Sequence, residues 1–164
     1  MVLKLPDIIT EEELIKIIQA TKKPHHKVAF MLGFYESMRV SEVVKLRQED
    51  IDKNLKQIRI VQGKGGKDAI IPLSQEVIKV IKYIPIGCGV RALEIKFKQI
   101  SKQVLNKDLH FHTLRHSGIT HYLVKKKWSS LAVQQLARHS KITTTEIYSH
   151  FKIDDLINLM WNSP

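Results

Sequence analysis

A chain of 164 residues, 43% apolar and 26% charged, is long enough to close one hydrophobic core and has the mix of an ordinary globular domain. Its 27 Lys and Arg against 16 Asp and Glu give a formal charge of +11, which implies a polyanionic partner, nucleic acid before an anionic membrane surface. The lone Cys88 excludes an internal disulfide or a CxxC zinc pair, and neither a membrane-spanning run nor a signal-peptide pattern is present, so a reducing, cytoplasmic setting is expected.

Thr10 followed by Glu11, Glu12 and Glu13 predicts a capping box, with Thr10 at the N-cap and Glu13 at N3. Leu14, Ile17 and Ile18 then keep helical spacing to about Ala20. Pro24 opens a second, more apolar helix through Tyr35, expected to be central and buried. After a break at 37–39, a short helix is predicted over 42–46 with Ser41 as its N-cap. The period then changes to two: 57–61 alternates Ile58 and Ile60 with Arg59, and 69–73 is a short apolar run containing Pro72. The GKGGK string at 63–67 joins them as a β-hairpin, with Lys64 and Lys67 at its tip. Helical spacing returns with Val77, Ile78 and Ile81, breaks at Pro85 and 87–89, and resumes with Leu93, Phe97, Ile100 and Val104. Further helices are predicted from Thr113 onward and over Leu131, Val133 and Leu136. At the end, Ile153, Leu156, Ile157 and Met160 form an i, i+3, i+4, i+7 stripe. The expected fold class is mainly α with one small antiparallel hairpin, in a single domain over 1–164.

Three strings carry chemistry besides the hairpin: RVSEVVKL at 39–46, HTLRHS at 112–117 and LARHSKITTTEIYSHF at 136–151. Taken singly, each has an ordinary explanation. Arg39 and Glu42 could be surface charges of a helix, the Lys64 loop a solvated turn, and Tyr148 a packed core ring. His112 and His116, with His110 close by, suggest a metal only until ligand spacing is considered; no acidic or cysteine partner stands at zinc distance in sequence, so no metal or other cofactor is expected. The ordinary explanations fail jointly, because the strings occur in one order in a basic chain, with Tyr148 nine residues after His139.

Together the strings resemble the catalytic domain of the tyrosine recombinase, or phage integrase, family. That domain reads Arg-x-Ser-Glu, a hairpin lysine, His-x-x-Arg, then Gly-His-Ser and a tyrosine nine residues on. The resemblance covers nearly the whole chain. It implies site-specific recombination or integration of double-stranded DNA at an attachment site, by strand cleavage and rejoining through a 3′-phosphotyrosyl link, without metal or ATP. Arg39 and Arg115 would clamp the scissile phosphate, since guanidinium forks hold two oxygens and keep their charge. Tyr148 would attack phosphorus. A phenol of pKa about 10 needs help to lose its proton, and the resemblance puts that task near His112. His139 would donate to a phosphate oxygen, Lys64 would protonate the leaving 5′-oxygen, and Glu42 would buttress the arginine and histidine. Lys67, Arg138 and Ser140 are candidates for DNA contact. Arg39→Ala and Arg115→Ala are each expected to abolish activity and keep the fold.

Two departures stand out. Arg138 occupies the place of the family's glycine, and the stretch from the hairpin to His112 is short. That compactness, with a lysine- and isoleucine-rich composition, is similar to integrases of archaeal spindle-shaped viruses. A separate core-binding domain, normal ahead of this one, is not seen before Thr10, so the chain is expected to be a catalytic fragment. The apolar stripe of 152–164, with Trp161, needs a cover, either its own domain or a neighbouring protomer of a homo-tetramer on DNA. Two alternatives remain at this point: a type IB topoisomerase-like relaxing enzyme, and a non-catalytic DNA-binding module.

Overall fold

Thr10 Oγ1 accepts from the Glu13 N–H at 3.2 Å and Glu13 Oε2 accepts from the Thr10 N–H at 2.9 Å, so the predicted capping box opens α1 (Glu11–Ala20). The structure is a computed structural model that describes residues 7–62, 66, 68–138 and 152–162. Pro24 sits at the first position of α2 (Pro24–Tyr35), where its missing N–H costs nothing. This helix is buried from Val28 to Phe30 and from Leu32 to Tyr35, as expected of a central element.

α3 (Val40–Lys45) begins earlier than the sequence predicts. Its N-cap is Arg39, and Ser41 is an exposed residue of the first turn. The reason is Glu42, whose Oε2 accepts the Arg39 N–H at 2.9 Å and thereby ties down the helix start from N3. A 3₁₀ turn (Gln48–Asp50) leads into a sheet of three antiparallel strands, β1 (Ile51–Asp52), β2 (Gln57–Ile60) and β3 (Ala69–Pro72), in the order β1-β2-β3. The hairpin predicted from the alternation is β2–β3, in register Ile58↔Ile71. The additional strand, β1, is two residues long, too short to show a period. Pro72 is tolerated because β3 is the edge.

Ser74 caps the short α4 (Gln75–Ile78), accepting from Val77 N–H at 3.2 Å. A 3₁₀ turn over Ile81–Tyr83 follows, where continuing helical spacing was expected. The Ser74 N–H donates to Oε1 of Glu36 at 2.6 Å. Glu36 is wholly buried just past α2, and that burial pushes its carboxyl up to about 8. α5 (Val90–Leu105) ends on Asn106 in the left-handed conformation. α6 (His112–Thr120) continues into a π-turn over His121–Lys125, and α7 (Ser130–Ala137) is capped by Ser129.

α8 (Ile153–Asn162) lies on its own chain against β3. Trp161 Nε1 donates to the Leu73 carbonyl at 2.9 Å, Gln75 Nε2 donates to the Trp161 carbonyl at 2.7 Å, and Lys56 Nζ stands 3.9 Å from the indole centroid. Leu156 enters a small second core with Tyr122, Trp128, Val133 and Leu136.

The main core gathers around α2, with Phe30, Phe34, Phe97 and Phe111 at its centre. Its tightest contact is the crossing of α2 and α6. A Cβ on Gly118 would lie 1.9 Å from the Phe34 carbonyl oxygen, and one on Gly33 would lie 3.1 Å from Leu114 Cβ. Only a bare backbone on α6 fits the first of these. Gly118→Ala is therefore expected to cost at least ~3 kcal/mol and Gly33→Ala clearly less. Urea unfolding midpoints compared at constant slope check both.

Candidate active site

Three arginines from three helices meet around one carboxylate. Arg39 stands at the start of α3, and its Nη1 lies 3.2 Å from Glu42 Oε1. Arg138 ends α7, and its Nη2 reaches Glu42 Oε2 at 2.5 Å while Nη1 donates to the Leu136 carbonyl at 3.0 Å. Arg115, on α6, is only 4% exposed. It donates from Nη1 to the Ser37 carbonyl, just before α3, and from Nη2 to the Ala137 carbonyl at the end of α7. The last carbonyls of α7 have no partner within the helix and carry its negative dipole end, which suits two cations there.

With Glu42 the single carboxylate among the described residues there, the three guanidinium groups leave an excess of positive charge. Burial, then the charges of Arg39 and Arg138, bring Arg115 down to about 10, which still leaves it protonated at neutral pH. Burial opposes the charge on Glu42, but Arg138, the Arg39 N–H and the Arg39 guanidinium outweigh it and hold the carboxyl below the usual range. His112 opens α6 at the surface, its ring edge-on to His116 with centroids 4.5 Å apart. Burial lowers its pKa, helped by His116, Arg115 and Arg39, so more of the ring is neutral and able to accept a proton at neutral pH.

Arg39, Ser41, Glu42, Lys45, Gln62 and Arg138 line an open groove of about 420 Å³. A larger groove of about 1030 Å³ continues from it past Lys45, Arg47 and Arg59. There the positive charge is partly neutralised, since Arg59 pairs with Asp50 at 3.1 Å and Arg47 with Glu49 at 3.6 Å. The unbalanced charge is in the smaller groove. An anion with several oxygens fits it best.

Of the residues singled out in the sequence, the fold brings together Arg39, Glu42, His112, Arg115 and Arg138. Lys64, Lys67, His139, Ser140 and Tyr148 lie outside the described residues. Gln62, at the groove's edge, is the last described residue before the GKGGK turn. Sequence reasoning missed Lys45, although it follows Arg39 and Glu42 at intervals of three on one helix face. It also missed the carbonyls of Ser37 and Ala137, for which no side-chain pattern exists. His112 and His116 have no third histidine, cysteine, aspartate or glutamate grouped with them among the described residues.

The model of the Phage integrase family matches residues 7–97 and 88–154. A tyrosine recombinase of Thermosipho africanus is 34% identical over 165 residues, covering 90% of this chain, and this chain spans 58% of that protein's length. A tyrosine recombinase XerD of Staphylococcus epidermidis is 32% identical over 175 residues, with 90% of this chain and 59% of that one covered. Among solved structures, the integrase of mycobacterium phage Brujita superposes with a TM-score of 0.81 at 19% identity, over 98% of this chain and 58% of that one. A lambda integrase tetramer bound to a Holliday junction gives 0.66 at 18%, over 90% of this chain and 50% of that one. At these identities the two structures show the fold.

The buried setting of Arg115 changes what its removal should do. The sequence led to the expectation that Arg115→Ala keeps the fold, but its guanidinium ties the end of α7 to the start of α3. Truncation would leave two carbonyls unpaired. Arg115→Ala should lose about 2–4 kcal/mol of stability. Arg39→Ala, at a side chain 43% exposed, should lose about 1 kcal/mol or less. Denaturant titration of both variants beside the wild type measures the difference.

Proposed function

The chain belongs to the phage integrase family, and on that premise we propose that it cuts and rejoins double-stranded DNA at a specific site. The observation that carries this reading is the grouping of Arg39, Arg115 and Arg138 about Glu42, the single carboxylate there among the described residues, with His112 near enough to feel the charges of Arg39 and Arg115. In phosphoryl transfer to a hydroxyl, negative charge grows on the non-bridging oxygens. Pre-positioned guanidinium groups stabilise it without reorganising. Arg115 cannot swing, because two carbonyls hold it, and Arg39 is held through Glu42.

Tyr148 attacks phosphorus in this scheme; its Oη–P bond forms as the bond to the 5′-oxygen breaks, and the product is a 3′-phosphotyrosyl ester with a free 5′-hydroxyl. His112 assists loss of the phenolic proton, Lys64 supplies one to the leaving oxygen, and His139 donates to a phosphate oxygen. Lys67 and Ser140 contribute to binding DNA. Attack by another 5′-hydroxyl reverses the step and restores a phosphodiester, so no external energy is needed. Relaxation of supercoils by the same chemistry is not favoured, since the relatives are recombinases and integrases. In its full form the protein would carry a core-binding domain ahead of this one and act on DNA in the cytoplasm of its host. Among the described residues no helix is long and apolar enough to cross a membrane.

Incubation with a DNA substrate nicked near the cleavage site, then denaturing electrophoresis, tests the chemistry. A covalent adduct is expected with the wild type and none with Tyr148→Phe; an adduct that persists in that variant would remove Tyr148 from its role, and none with any substrate would remove the reading.

Residues 152–164 further support a homo-tetramer on DNA, as in the lambda integrase tetramer bound to a Holliday junction, with the chain monomeric or weakly associated in its absence. α8 rests on its own chain through Trp161 near β3 and through Leu156, with Leu159 and Met160, in the second core, and the same apolar face could dock on a neighbour. Trp161→Ala is expected to lower the fraction of tetramer on DNA, read by sedimentation. An unchanged distribution would exclude the tail from assembly.

A further inference from the structure

Arg138 occupies a backbone position that suits a glycine. Its φ of 56° places it in the left-handed region, where it ends α7 with its N–H on the carbonyls of Gln134 and Gln135. A side chain kept in such a conformation is expected to make up for it by what it contacts. That of Arg138 is 11% exposed and its outer nitrogens are both engaged, Nη2 by Glu42 Oε2 at 2.5 Å and Nη1 by the Leu136 carbonyl at 3.0 Å. Its Nε is buried without a hydrogen-bond partner. The guanidinium is thus held by the protein at both outer nitrogens, at the edge of the groove it helps to line.

Glu42 has two oxygens and divides them. Oε2 serves Arg138 and the Arg39 N–H at 2.9 Å, and Oε1 serves the Arg39 guanidinium at 3.2 Å. With Oε2 held from α7, the carboxylate cannot rotate, so Oε1 keeps one direction. Arg39, 43% exposed, takes its own direction from that oxygen.

Resting on the function proposed above, we propose that Arg138 is a positioning residue that aims the Arg39 guanidinium at the phosphate by clamping Glu42. It differs from a direct phosphate ligand in what it leaves unchanged. Arg138→Gly is the informative variant, because glycine adopts the left-handed conformation freely and the fold is retained.

The variants Arg138→Gly, Arg138→Lys, Glu42→Gln and the Arg138→Gly/Glu42→Gln pair are compared with the wild type in single-turnover adduct formation, DNA affinity against salt, and titration of Glu42 by carboxyl NMR. Arg138→Gly should slow cleavage by roughly 10–100-fold and leave the slope of log Kd against log salt unchanged. Arg138→Lys should recover part of the rate, and the pair should be no slower than Glu42→Gln alone.

Among the described residues, the titratable and charged groups facing Glu42 are Arg39 and Lys45 on α3, Arg115 on α6 and Arg138 at the end of α7. A carboxyl held below its usual range gives its stabilisation above that range and loses it as pH falls through the folded-state value. Without Arg138 that value rises, so the acid limb of the rate profile should move to higher pH and the NMR midpoint with it. A salt slope smaller by about one would make Arg138 a direct phosphate ligand and overturn the proposal. So would an unchanged rate, or a Glu42 midpoint that does not move. If the wild type forms no adduct, the functional reading fails, and the Glu42 midpoint still decides whether Arg138 holds the carboxylate.

Discussion

The approach of α6 to α2 at Gly118 is the constraint on which the rest of the structure depends. Without a Cβ at that position, the α6 backbone settles against the Phe34 carbonyl. Arg115 lies on the turn of α6 before Gly118 and reaches the chain just past α2, where the Ser37 carbonyl receives it. A wider crossing would lengthen that reach and separate Arg115 from Arg39. The grouping of Arg115 with Arg39 is therefore a product of helix packing, which a single added Cβ at Gly118 would disturb.

Charge arrangement follows from that packing. Guanidinium groups are costly to bury unless their donors are satisfied. Arg115 is satisfied by the Ser37 and Ala137 carbonyls, which are neutral and cancel none of its charge. Arg138 and Arg39 share Glu42. Pairing each arginine with its own carboxylate would have made a stable but neutral cluster. Using carbonyls and one shared carboxylate holds the side chains in place and keeps this cluster of described residues cationic, which is what the proposed chemistry on a phosphate needs.

Much of this was legible in the sequence. The capping box at Thr10 and Glu13, the buried α2 and the β2–β3 hairpin all follow from local patterns, because caps and periodicity depend on neighbours a few residues away. The start of α3 was misplaced because Glu42 caps it from N3 and displaces the Ser41 cap that its residue type suggested. β1 escaped notice since two residues carry no alternation. The helical spacing from Val77 to Ile81 overran α4, which gives way to a 3₁₀ turn.

At the site, the sequence by itself determined which residue types are present, their order and their spacing. Arg39, Glu42, His112 and Arg115 were singled out because their strings, in that order and spacing, resemble those of the family. It also marked Arg138 as a departure. What only the tertiary structure decided is how the charges are held. The carbonyls of Ser37 and Ala137 carry no side-chain signature, and the ion pair from Arg138 to Glu42 joins positions far apart in the chain. The docking of α8 on β3 was open for the same reason: an apolar stripe shows that a cover is needed, and only packing shows which surface supplies it.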